Sequence, residues 1–330
     1  MKKLSPELLL KLHYLMVKSR VLEERMINIY RQGQAYFWIG GPGEEAFGVP
    51  LGLLIKKGCG LDYDWLHLHY RATPTLVAMG LSMRDALRLI MNKVTDKHTG
   101  GRNFSNHYCM PEWNVAPITS VIGSQYSTAL GTAHVQSRSS TSAITIVTGG
   151  DAGTAEGDFA TCLIWASRSV CPLPMLITVQ NNGWGISTSY QGQHGETNIV
   201  DRGKAFNMET VLIDGNNPIE SYTKLDESMK YVREKRRPVL LEAFVSRLYG
   251  HSSASGANYV KEEPCCIALF EEKLKKQGLL TEKKRKNIWD DLKAEAKQIQ
   301  QEVAQEPDPQ PESIWDHVYA NKENADGRKF

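Results

Sequence analysis

Two periods of apolar residues run through this chain, and the switch between them marks its elements. Around residues 144–150 and 175–182, short β-branched apolar runs end in Gly-Gly-Asp and Gln-Asn-Asn, with an apolar helical run between them. That order predicts a strand, a crossover helix of about four turns and a parallel strand, both strands ending at one edge of the sheet. Ser5-Pro6-Glu7 starts a long helix whose stripe, from Leu8 to Tyr30, recurs at helical spacing and closes near Gly33. Further helices are expected over 81–93, introduced by Ser82, and over 126–136. Residues 201–203, 211–214 and 238–245 supply the remaining signals of a doubly wound, mostly parallel α/β sheet. Residues 262–304 alternate Lys and Glu with apolar positions, as surface helices do. A Pro-rich break at 306–311 leads to a short docking helix over 313–319 and a frayed end over 321–330.

Composition narrows the function. A chain of 330 residues buries a large core without needing two domains, and a formal charge of +2 gives no basic field for nucleic acid. The six cysteines have no paired metal-ligand spacing and read as reduced thiols. The amino terminus lacks the apolar core of a signal peptide, and no apolar run reaches membrane-spanning length. A cytoplasmic protein with no nucleic-acid or membrane partner is expected.

The candidate chemistry lies at the ends of the two central strands, where open α/β sheets bind ligands. Asp151 offers a hard anionic oxygen and Asn182 a hard neutral one, while Gly150 and Gly153 let a phosphate approach the backbone. Mg2+ takes such oxygens together with substrate phosphates, so the pair reads as a magnesium diphosphate clamp. Alone, Gly-Gly-Asp-Ala-Gly is also a strand-to-helix turn with an N-capping Asp. His67 and His69 stand two apart on an extended segment without further nearby ligands, which argues against a metal pair.

Gly150-Asp151 followed by Asn181-Asn182 resembles the signature of thiamine diphosphate enzymes, and the flanking segments resemble the alpha subunit of the decarboxylating component of 2-oxo acid dehydrogenase complexes, nearest the branched-chain type. The likeness extends over about residues 5–300 and is strongest at 31–46, 69–71, 119–131, 150–184 and 247–253. It implies a helical arm and aromatic segment over 1–45, a thiamine diphosphate-binding domain over 46–260 and C-terminal helices with a tail over 261–330. It also implies Mg2+ on Asp151, Asn182 and the backbone carbonyl of Trp184, with Gly150, Ala152 and Gly153 beside the cofactor. Arg71 would fork onto the diphosphate, Tyr70 would lie next to it, Ile122 would bend the cofactor into a V, and backbone groups at Ser120 and Ile122 would bond the aminopyrimidine.

Phe37 would wall the 2-oxo acid side chain. Arg247 and His251 match a catalytic loop over the diphosphate, whose histidine, titrating near neutrality, serves transfer to the lipoyl acceptor. His107 would stand behind the site. Ala152 replaces the usual third glycine of the signature, Gln180 an arginine, Trp184 a tyrosine and Gly256 an aspartate.

The partners implied are a beta subunit that supplies the activating Glu, the lipoyl domain of an acyltransferase core, and a small 2-oxo acid. Branched-chain acids rank first, then pyruvate and acetoin. An inactive interaction or regulatory subunit on the same fold remains an alternative of a different class. A nicotinamide dehydrogenase ranks last for want of GxGxxG after a first strand.

Overall fold

A computed structural model describes residues 4–316 and residue 318. In chain order the elements are α1 (Pro6–Arg31), α2 (Glu45–Leu54), β1 (Trp65–His67), α3 (Thr73–Met79), α4 (Met83–Ile90), α5 (Ser124–Ser137), β2 (Thr145–Gly150), α6 (Gly157–Ala166) and β3 (Met175–Asn181). There follow β4 (Trp184–Gly185), β5 (Thr188–Ser189), α7 (Asp201–Lys204), β6 (Glu209–Asp214), α8 (Pro218–Lys235), β7 (Val239–Phe244), α9 (Cys266–Lys276) and α10 (Glu282–Ala304). Among the described residues, no helix is long and apolar enough to cross a membrane.

The five strands β1, β2, β3, β7 and β6 lie in that spatial order and are all parallel, while β4 and β5 form a separate two-residue antiparallel ribbon. Alternate side chains of a strand face opposite sides, and the central strands feed two apolar cores accordingly. Ile146, Leu176, Val239 and Leu241 join the core built with α1, α2, α3 and α8, whereas Val147, Ile177, Val179 and Leu240 pack under α5 and α6. Both faces of the sheet are covered, as a parallel sheet requires.

Caps follow the sequence signals. The Ser5 Oγ accepts from the Leu8 N–H at 3.2 Å, and the Ser82 Oγ from the Asp85 N–H at 3.0 Å. Two helices are shorter than expected. The crossover opens as a 3-10 turn over Ala152–Ala155, and the extended backbone of Glu156 separates it from the ten residues of α6. The helix expected over 81–93 stops at Ile90, because Asn92 turns to a φ of 51°. Residues 311–315 form a 3-10 turn, and the rest of the expected docking helix, at 317 and 319, lies outside the described residues, as does 321–330.

Buried ion pairs fix the elements that frame the strand ends. Arg20 of α1 grips Glu45 with two parallel hydrogen bonds of 2.7 and 2.8 Å, and Glu45 also accepts from the Gly43 N–H and from the Cys266 thiol. Asp64 holds Arg233 by two bonds of 2.7 Å and accepts from the amides of Lys56 and Ile144. Such pairs add little net stability relative to apolar packing, but losing one partner leaves a buried charge and costs about 3–5 kcal/mol. Their effect here is to lock α2 and β1 in register with the sheet.

Candidate active site

β2 and β3 run in register to their ends, with Gly150 opposite Gln180, so Asp151 and Asn182 emerge side by side at the carboxyl edge. A cavity of about 280 Å³ opens there. Gly150, Asp151, Ala152 and Gly153 line it from the end of β2, Asn182 from just after β3 and Trp184 from β4. Tyr70 and Arg71 reach it from the turn after β1, His251 from the loop after β7, and Ile122 from the loop before α5.

Gly149, one residue before the strand end, has to be glycine. A Cβ there would overlap the Tyr126 hydroxyl and sit 2.8 Å from its Cζ. Ala152 needs no such freedom, since it lies in the right-handed 3-10 turn and its φ is not positive. The missing third glycine therefore imposes no backbone strain.

Asp151 is 1% exposed. The backbone amides of Asn182 and Ala152 favour its charged form, yet Oδ2 has no hydrogen-bond partner. Burial pushes this carboxyl above its usual range, against the pull of those amides. An orphaned carboxylate oxygen and a side-chain amide that line one cavity are the donor chemistry of a hard divalent cation that also takes phosphate oxygens. The residues present fit such an ion and a diphosphate.

Glu44, the residue just before α2, stands next to Arg71 without lining the cavity. It is 1% exposed, and burial lifts its carboxyl to about 8, opposed by Arg71, Gln180 and Asn182. Gln180 Nε2 donates to it at 2.8 Å, and Arg71 Nε lies 3.8 Å away. The glutamine that replaces the resemblance's arginine thus points at a carboxyl and not into the cavity.

Arg71 also donates through Nη1 to the Gly40 carbonyl, and through Nη2 to His251 Nδ1 at 3.1 Å and to the His251 carbonyl at 3.2 Å. Burial, then Arg71, then Arg247 push the His251 imidazole down to about 4. This corrects the expectation of a histidine titrating near neutrality. Its Nδ1 is committed as an acceptor, so the neutral ring carries its proton on Nε2.

The rings behind the cavity form a connected series. Tyr70 lies edge-on to His251 at 6.2 Å and stacks on His107 at 6.5 Å, and Phe104 joins His107 to Phe37. His107 Nδ1 donates to the Ser105 carbonyl, leaving Nε2 to accept from the Ser120 hydroxyl at 2.7 Å. Burial lowers the His107 pKa. His67 engages Thr128 and Thr132, and His69 engages Thr148, so the two rings are tied to threonines on different elements.

Three expected site residues do not line this cavity. Phe37 sits beyond Phe104 in a shallower hollow with Tyr36. Ser120 is exposed and bound to His107, while its neighbour Thr119 lines the cavity. Arg247 lines an adjoining cleft, lies 5.8 Å over the Trp184 ring and donates to the Ile186 carbonyl at 2.9 Å. Ile186 has a φ of 56°, which for a β-branched residue stores about 1–3 kcal/mol. Arg247 therefore clamps a strained loop at the cavity mouth. Gln125, Glu156 and Gln193, which also line the cavity, carried no sequence signal.

The Dehydrogenase E1 component family matches residues 13–312. The "2-oxoisovalerate dehydrogenase subunit alpha" of Bacillus subtilis (strain 168) is 28% identical over 313 residues, 92% of this chain and 93% of the relative. The "3-methyl-2-oxobutanoate dehydrogenase subunit alpha" of Mycobacterium tuberculosis (strain ATCC 25618 / H37Rv) is 26% identical over 319 residues, 94% and 82% of the two chains. The "2-oxoisovalerate dehydrogenase subunit alpha 2, mitochondrial" of Arabidopsis thaliana is 27% identical over 251 residues, 76% of this chain but 51% of that longer one.

Proposed function

The chain belongs to the Dehydrogenase E1 component family, and from that premise we propose that it is the alpha half of a thiamine-diphosphate-dependent enzyme. It decarboxylates branched-chain 2-oxo acids and passes the acyl group to lipoyl on an acyltransferase core. Relatives named for 2-oxoisovalerate and 3-methyl-2-oxobutanoate, two names for one compound, favour this substrate class over pyruvate. One observation carries the reading: the partnerless Oδ2 of Asp151 and the side chain of Asn182 share one cavity at the carboxyl edge of a parallel sheet.

Thiamine diphosphate, when bound, supplies the carbon nucleophile and holds the electron pair left when carbon dioxide departs. The protein's tasks are to bind, orient and exclude water. Asp151, Asn182 and the Trp184 backbone would hold Mg2+ against the diphosphate, with Arg71 as its positive neighbour. Gly150, Ala152 and Gly153, which line the same cavity, would flank the diphosphate, and Ile122 and Tyr70 would flank the rest of the cofactor. His251, neutral with a proton on Nε2, would donate a hydrogen bond during transfer to lipoyl. Arg247 supports it indirectly by holding the Trp184–Ile186 loop.

A beta subunit supplying the activating Glu would complete the site, so this chain is half of one. The test is co-purification with a beta chain from the same source. Calorimetry with thiamine diphosphate and Mg2+ is then followed by decarboxylation assays on pyruvate, 3-methyl-2-oxobutanoate and 4-methyl-2-oxopentanoate. Binding that needs the metal, with kcat/KM higher for the two branched acids, is expected. Activity from this chain alone would refute the half-site, and a complex that binds no cofactor would favour an inactive interaction subunit.

A further inference from the structure

His251 sits on a loop that α1 holds in place, although α1 itself does not line the cavity. Two holds are direct. The Tyr249 hydroxyl donates to Glu24 Oε1 at 3.3 Å, and Arg31 Nη2 donates to the Ala257 carbonyl at 2.9 Å. The third passes through residues 38–40. Glu23, fully buried, accepts from Trp38 Nε1 at 2.8 Å and from Asn106 Nδ2 at 3.1 Å. The Trp38 N–H donates to the Ser253 hydroxyl at 3.0 Å, and its carbonyl accepts from the Ser253 N–H at 2.7 Å. Ile39 pairs with Ser252 in an antiparallel bridge. The Gly40 carbonyl takes Nη1 of Arg71, whose Nη2 grips the His251 ring. One short strip therefore seats both the loop that carries His251 and the guanidinium that meets it.

We infer that Glu23 is a positioning residue for His251: it fixes the Trp38–Gly40 strip against α1, and the strip fixes the ring at the cavity. The inference rests on the function proposed above and deepens it by naming what sets the geometry of the acyl-transfer step. Glu23 meets the strip at both ends, since a Cβ at Gly40 would overlap its carboxylate. Asn106, in the left-handed region at a φ of 64°, bonds Glu23 and the Ile39 carbonyl with the same amide. A carboxyl removed from water disfavours folding unless donors reach it. Here both oxygens are taken by donors that the strip carries or that hold it.

The test is made on the complex with the beta subunit. Glu23→Gln keeps the volume but offers one oxygen to two donors, Trp38 Nε1 and Asn106 Nδ2, and turns its other end into a third donor. Hydrogen exchange read by mass spectrometry, without cofactor, should show the amides of 249–257 exchanging about tenfold faster or more, while those of β3 keep wild-type protection. Single-turnover lipoyl acylation should fall about tenfold or more. The thiamine diphosphate half-saturation should change less than about threefold, because neither Glu23 nor Trp38 lines the cavity. In a His251→Ala background the same substitution should change acylation less than about twofold, since a residue that acts through His251 has nothing left to act on. Trp38→Phe, which removes the N–H and keeps a ring, carries the same expectations and serves if the glutamine variant does not assemble. Unchanged exchange over 249–257, or unchanged acylation, overturns the inference. So does an equal loss of protection in β3, full additivity with His251→Ala, or failure of both variants to assemble, each of which would mark Glu23 as a general support of the fold. If the wild-type complex binds no cofactor, the functional reading itself fails, while the exchange comparison still decides whether Glu23 holds the loop.

Discussion

Arg71 Nη2 donates to both the ring Nδ1 and the backbone carbonyl of His251, at 3.1 and 3.2 Å. One guanidinium thereby sets the position and the tautomer of the histidine at the cavity mouth, while its Nη1 is held by the Gly40 carbonyl. Because the His251 pKa is held down to about 4, the ring is neutral throughout the physiological range and works as an Nε2–H donor. His251→Ala is therefore expected to leave cofactor affinity of the complex within a few-fold. Lipoyl acylation should fall by about 100-fold or more, measured in a single turnover with a lipoyl domain. The wild-type acylation rate should show no inflection near pH 6.5 assignable to this residue. Unchanged acylation in the variant would remove His251 from its role.

Asp151 separates binding from stability. With Oδ2 buried and unpartnered, its carboxylate is a liability to the metal-free fold and an asset only to the loaded one. Asp151→Asn keeps an oxygen for the amides of Ala152 and Asn182 and places a neutral group at the orphaned position. The metal-free protein should gain about 1–2 kcal/mol, seen as a higher melting temperature, while Mg2+-dependent binding of thiamine diphosphate is lost. A lower melting temperature together with retained binding would contradict both halves of the argument.

The parallel core was legible because it depends on local pattern. β-branched runs ending in Gly-Gly-Asp and Gln-Asn-Asn have one economical arrangement, and the crossover between them follows. The same logic brings Asp151 and Asn182 to a common edge. The contact of Glu44 was not legible, because its partner Gln180 lies 136 positions away and meets it only after α2 docks on the sheet edge. A glutamate at the N-terminal end of a helix satisfies the dipole argument so well that nothing in the sequence asks for a second explanation. Phe37 is the opposite case. Its place in an aromatic segment suggested a pocket wall, but Phe104 comes between it and the cavity, and a loop's path is not written in its composition. The short crossover helix has a similar cause, since the extended backbone at Glu156 interrupts a run whose apolar spacing continues.

Gly149 and Tyr126 make a close approach that a single methyl group disrupts. Tyr126 is fully buried and lies edge-on to Phe159 at 5.0 Å, so it cannot swing away. Gly149→Ala should destabilise the protein by about 1–3 kcal/mol, measured by urea unfolding, and should displace the strand end that carries Asp151. Tyr126→Phe removes the hydroxyl that a new Cβ would overlap. The double variant should therefore recover part of the loss, a non-additivity expected of groups in contact. If the two substitutions add independently, the contact does not limit residue 149.

Acid lability should trace to histidines held neutral in the interior. Burial lowers His67 from 6.5 to about 4, and His69 and His251 are lowered as well. Between pH 6.5 and 4 the unfolded chain binds a proton at His67 that the folded chain refuses, so acidification favours unfolding. The contribution to stability is fully present above pH 6.5, is lost as pH falls through that window, and changes no further below it. Each unit within the window is worth at most about 1.4 kcal/mol, which makes the loss on the order of 2 kcal/mol between pH 6.5 and 4.5. Glu44, raised to about 8, acts with the opposite sign, since its folded form holds a proton that the unfolded chain has released. The clean measurement is therefore a difference between two proteins. His67→Gln keeps a hydrogen-bonding group for Thr128 or Thr132 but cannot titrate, while every other ionisable group is common to both and cancels. Wild type should lose about 2 kcal/mol more than the variant over those two pH units, and superimposable curves would show that His67 is not held neutral by its surroundings.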